Sequence, residues 1–124
     1  MDEKFRKQLE ENGTDVDTVL KRFLGNEAMY MKFLMKFLDD KSYEGLLESI
    51  GKRDYEEAFK GAHTLKGVTA NLGIEPVCTA ATLITDLLRN KQPEEVDAGQ
   101  LDEYKTQLVE AYDRFRKIVE ENRP

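Results

Sequence analysis

Residues 54–73 read DYEEAFKGAHTLKGVTANLG. At about 100° per residue, Leu65 and Leu72 share a helical face with Ala58, Ala62 and Thr69. Asp54-x-x-Glu57 predicts a capping box at the start of this helix. Gly73 supplies a residue able to turn left-handed at its end. The segment is therefore an amphipathic helix of about five turns, and the same three-and-four spacing recurs on both sides of it.

Working towards the N-terminus, Tyr43, Leu46, Leu47 and Ile50 mark one helical face. Met29, Tyr30, Phe33, Leu34, Phe37 and Leu38 mark another, with Asn26 as its predicted cap and Asp39–Ser42 as a break or bend between the two. Thr14–Asp17 can cap a short helix carrying Val16, Val19, Leu20 and Phe23 that ends near Gly25. Residues 2–11 form a further short polar helix, stopped by Asn12-Gly13. Towards the C-terminus, Pro76 fits the first turn of a helix bearing Val77, Ala80, Ala81, Leu83, Ile84, Leu87 and Leu88. Residues 90–99 read as loop, and a last helix runs from about Gln100 to Asn122.

No alternating strand pattern interrupts this series, so the fold class is all-α. Short connections between amphipathic helices predict an antiparallel four-helix bundle with short N-terminal helices packed across one end. The 124 residues suit one domain, with accessory helices over 1–25 and the bundle over 26–122. A chain that opens on Met1 and ends just past its last helix is expected to be complete. Cys78 and the methionines Met29, Met31 and Met35 are expected to fill core and shoulder positions.

Composition narrows the possible roles. The net charge of −6, without a Lys/Arg cluster, argues against nucleic acid and anionic membranes as partners. No apolar run approaches the roughly 18 residues that span a bilayer, and the first residues lack the apolar stretch of a secretory signal. A single cysteine without an intrachain partner agrees with a cytoplasmic address. One histidine and one cysteine fall short of a zinc ligand set, and no cofactor motif is present, so neither metal nor cofactor is expected.

The lone histidine, His63, lies about 160° from Leu65 on the wheel and should point outward. Gly67 and Ala70 follow it at i+4 and i+7, leaving room above the ring. Lys60 and Lys66 flank it at i−3 and i+3. Phe59 stands on the shoulder, about 40° from His63. An exposed imidazole with small neighbours and two ammonium groups suits the handling of an anion in contact with another macromolecule.

Ala62-His63-Thr64-Leu65-Lys66-Gly67, followed by Asn71-Leu72-Gly73, resembles the signature of histidine-containing phosphotransfer (Hpt) domains. That signature has a histidine, a lysine and glycine three and four places on, and a second glycine at the tenth. Gly25-Asn26-Glu27 leading to Tyr30 and Phe37 is similar to the family's first bundle helix. Arg53-Asp54 stands where the family usually shows Gly-Asp, and Ala70 where some members have glycine.

The resemblance implies a phosphorelay phosphocarrier. His63 would accept a phosphoryl group from a receiver-domain aspartate or a histidine kinase, hybrid kinases included, and pass it to a response-regulator aspartate. Lys66, with Lys60, would offset phosphoryl charge; Gly67, Ala70 and Phe59 would form the access and docking rim. The partner receiver would supply Mg²⁺ and the acidic pocket, so the chain would be no enzyme by itself, and a monomer by default. The competing expectation is a helical adaptor with a vestigial site, which the intact His-x-x-Lys-Gly disfavours. A fragment of a kinase is disfavoured by the lack of any nucleotide-binding segment.

Overall fold

A computed structural model describes residues 1–123. It contains seven α-helices: α1 (Glu3–Glu11), α2 (Val16–Arg22), α3 (Glu27–Asp39), α4 (Ser42–Gly51), α5 (Tyr55–Leu72), α6 (Glu75–Leu88) and α7 (Ala98–Glu121). One turn of 3₁₀-helix at Pro93–Glu95 precedes α7, and there is no strand among the described residues. The fold is a helical bundle, but the expected four main helices become a longer series. Asp40 is extended at ψ 135° and its carboxylate accepts from the Ser42 N–H at 2.7 Å, so α3 and α4 are separate elements.

The predicted starts follow cap chemistry. Asp15, Asn26 and Asp54 accept from the backbone N–H groups of Thr18, Met29 and Glu57. The capping box at Asp54 is only half formed. The Asp54 N–H already donates to the Ser49 carbonyl at 2.9 Å, so the Glu57 side chain does not reach back to it and pairs with Lys60 instead. The expected loop over residues 90–99 is also shorter than it reads. Asp97 caps α7 by accepting from the Gln100 N–H at 3.0 Å, so the helix begins at Ala98.

Helix α5 packs along both α4 and α6, and α6 along α7. Small residues allow the close approaches: Ala58, Ala62, Ala80 and Ala81 are fully buried. A Cβ at Gly61 would meet the Leu46 Cβ and Cδ1 at 3.5 Å, an ordinary van der Waals contact, so packing against α4 does not itself require glycine there. Large apolar side chains fill the rest, among them Phe5, Tyr30, Leu34, Ile84, Leu108 and Phe115. Fully burying side chains of this size contributes roughly 1.5–3 kcal/mol each.

The short N-terminal helices meet the ends of the longer ones. Thr14 donates to the Gly73 carbonyl at 2.6 Å, and Asn122 at the end of α7 donates to Gln8 at 2.8 Å. The Met1 ammonium pairs with Glu27 at the start of α3. Helix α3 departs from its expected apolar face. Tyr30 and Leu34 are buried, whereas Met29 and Phe33 remain 43% and 42% exposed. Its contacts with α5 and α7 cover only a narrow strip, so one flank of the helix stays wet. No described helix is long and apolar enough to cross a membrane.

Candidate functional site

Tyr55, Ala58, Ala62, Leu65, Thr69 and Leu72 bury one side of α5. The opposite side carries His63, Thr64, Gly67, Val68, Ala70 and Asn71, all exposed. The outward direction of His63 thus follows from the helical period alone. Gly67 lies on this open side, and a Cβ placed there would meet nothing within 4 Å. Packing does not require glycine at that position.

The end of α5 is held by side chains distant in sequence. Carbonyls of the last turn lack intrahelical donors. The Arg22 guanidinium donates to the Ala70 and Asn71 carbonyls at 3.0 and 2.9 Å. The buried Tyr30 hydroxyl donates to the Leu72 carbonyl at 2.8 Å. Burial pushes the Tyr30 phenol well above its ordinary range, so it remains a neutral donor. Gly73 takes φ 75° and is buried, with the Ile74 N–H reaching back to the Thr69 carbonyl at 2.9 Å.

Around His63 the predicted residues divide. The half-buried Phe59 ring lies nearly parallel to the imidazole, 12° between planes and 6.0 Å between centroids. Gly67 and Ala70 are open on the same side. Lys66 is half-buried on the flank and makes no ion pair among the described residues. Lys60 is drawn to acidic neighbours on its own helix, 3.8 Å from Glu56 and 3.6 Å from Glu57. Exposed pairs of this kind are worth well under 1 kcal/mol, but they offset part of the Lys60 charge.

Two further features, at Arg89 and beside Thr64, are not expected from the sequence, and the placement of Cys78 differs from its expected one. Arg89, just past α6, places its guanidinium carbon 5.4 Å from the Phe59 ring centroid. Cys78 is half-buried rather than core, and its thiol donates to the Lys66 carbonyl at 3.6 Å. Beside Thr64 a groove of about 330 Å³ runs between α5 and the α3–α4 pair, lined chiefly by Phe33, Phe37, Tyr43, Leu65, Val68 and Leu72. An apolar Val68 on the exposed side of α5 is the one sequence signal that could have found this groove. On the neighbouring α4, Leu46 is core. Tyr43 lines the groove while stacking on Tyr112 at 3.6 Å.

The family model for the Hpt domain matches residues 5–118, from α1 to near the end of α7. The chain belongs to the Hpt domain family. Searches of curated proteins and of solved structures each returned no match. As a family, Hpt domains carry phosphoryl groups in two-component phosphorelays, exchanging them with receiver domains and kinases. They are in general phosphocarriers rather than enzymes. In this Hpt domain α5 presents the histidine, and Arg53, where the family usually shows glycine, takes a left-handed φ of 58°. That backbone is one an L-residue adopts only at a cost, which gives the family's glycine a physical reason.

Proposed function

We propose that His63 is the phosphoryl acceptor of this Hpt domain, taking the group from a receiver-domain aspartate or a histidine kinase and passing it to a response-regulator aspartate. The observation that carries this reading is an exposed imidazole in the middle of a helix fixed at both ends, with an open glycine one turn away. In transfer from an aspartyl phosphate, a ring nitrogen lone pair forms the N–P bond as the acyl P–O bond breaks. The carboxylate leaves with the electron pair. Such a reaction asks chiefly for in-line positioning and for stabilisation of spreading charge.

Lys66, free of ion pairs among the described residues, is the residue best suited to offset the charge of about −1.5 to −2 that a phosphoryl group adds. Lys60 is a weaker contributor because Glu56 and Glu57 already engage it. Gly67 and Ala70 admit the partner's rim, and Phe59 borders it. The exposed apolar side chains Phe33 and Val68, which line the groove, extend the docking face, as such patches commonly do.

By the family analogy the receiver brings Mg²⁺ and the acidic pocket, and the chain acts as a cytoplasmic, monomeric carrier rather than an enzyme. The same reading takes residues 26–122 as an antiparallel four-helix bundle within one domain, with residues 1–25 as accessory helices. The short connections and the neighbour order of these helices support it. Incubation with a phosphorylated receiver domain, followed by an acid-lability assay, should label the wild type and leave His63→Gln unlabelled. Equal labelling of the two would remove His63 from the mechanism, and no labelling of either would favour the adaptor reading.

A further inference from the structure

His63, Phe59 and Arg89 form a chain of three flat groups drawn from two regions of the fold. The imidazole faces the phenyl ring at 12° between planes, and the guanidinium stands over that same phenyl ring at 5.4 Å. Arg89 caps the end of α6 in extended backbone, φ −60° and ψ 123°, which directs its side chain off the helix end. Its contact with Asp86, 3.9 Å, is a long exposed ion pair that leaves the guanidinium plane available for the ring. Guanidinium groups are planar and weakly hydrated, so they stack on aromatic faces better than ammonium groups do.

An exposed imidazole on a helix surface turns freely about its ring bond unless a neighbour restricts it. Attack in line with the breaking P–O bond needs the nitrogen lone pair aimed to within a narrow cone. A parallel aromatic neighbour removes much of that freedom, provided the neighbour itself is fixed. Phe59 packs against the core on one side but is only half-buried, so its outer face has no apolar packing to fix it.

We infer that Arg89 is a positioning residue for the phosphoryl acceptor, holding Phe59 against His63 so that the phenyl ring sets the direction of the imidazole. The inference rests on the reading of His63 as acceptor. A second pair of the same kind provides an internal control. Arg116 stands 5.6 Å from the Tyr112 centroid on α7, a ring that stacks on Tyr43 rather than on His63.

The test uses the full chain and a phosphorylated receiver domain as donor. Because the chain has one histidine, its ring-proton NMR signals are assigned without ambiguity. Arg89→Gln should move those signals towards the positions seen in Phe59→Leu and slow transfer about two- to fivefold, at unchanged melting temperature. Arg116→Gln should do neither. His63 signals in Arg89→Gln that coincide with the wild type would overturn the inference, as would shifted signals with transfer at the wild-type rate. A wild-type chain that takes up no phosphoryl group would instead defeat the phosphocarrier reading beneath it.

Discussion

A Cβ added at Gly67 meets nothing within 4 Å, whereas one added at Gly73 comes 2.6 Å from Val19 Cγ2 and 3.0 Å from Thr14 Cγ2. The two glycines of the motif therefore serve different ends. Gly67→Leu should keep or raise stability by up to about 1 kcal/mol, because leucine is the better helix former, while phosphoryl transfer slows at least about tenfold. Normal transfer kinetics in that variant would contradict the access role. Gly73→Ala should cost about 2–4 kcal/mol in denaturant unfolding, combining a left-handed backbone with overpacking. A loss below about 1 kcal/mol would show that α2 yields easily. At this scale the direction of His63 is legible in the sequence, since spacing alone fixes a helical face. The engagement of Lys60 by Glu56 and Glu57 is legible too, at i−4 and i−3, once all three share a helix. Arg89 is not, because its contact with Phe59 depends on how α6 lies against α5.

Helix α5 is held at its end by tertiary hydrogen bonds as well as by its own left-handed turn at Gly73. Tyr30, Arg22 and Thr14 satisfy four carbonyls, from Ala70 to Gly73, and they come from three different segments. Tyr30→Phe leaves the buried Leu72 carbonyl without its donor and should lower unfolding free energy by about 1–2 kcal/mol. Unchanged unfolding in that variant would mean that solvent or the backbone replaces the bond. Helix starts are the legible part of each element, because Asp15, Asn26 and Asp54 sit next to the groups they cap. The exposed flank of α3 is less so. Its 3–4 spacing places Met29 and Phe33 beside Tyr30 and Leu34, and only the position of α5 and α7 decides which of them are covered. The groove beside Thr64 escapes local reading for the same reason: three helices line it.

Across the whole molecule the all-helical class is the most legible property, since periodicity of 3.6 recurs in nearly every segment. Stability against pH reflects two sets of groups. Hydrogen bonds from Thr18 to Asp15 and from Ser42 to Asp40, and from Lys52 to Glu48, hold these carboxyls below their ordinary range. Their contribution is present at neutral pH and lost as pH falls below about 4. Burial pushes the phenols of Tyr30, Tyr43 and Tyr112 upward, Tyr43 to about 12. That contribution is full below about pH 10 and lost as pH rises through the raised values. The melting temperature should therefore hold across neutral pH and fall at both extremes. On the alkaline side, phenolate absorbance of the buried tyrosines should appear only as the helical signal collapses. Full ionisation of all five tyrosines in a still-native fold would contradict the packing described. The most direct test of the phosphocarrier account is mass-spectrometric mapping of the modified residue after exposure to a phosphorylated receiver domain. The account predicts an acid-labile phosphoryl group on His63 and on no other residue; modification elsewhere, with His63 unmodified, would contradict it.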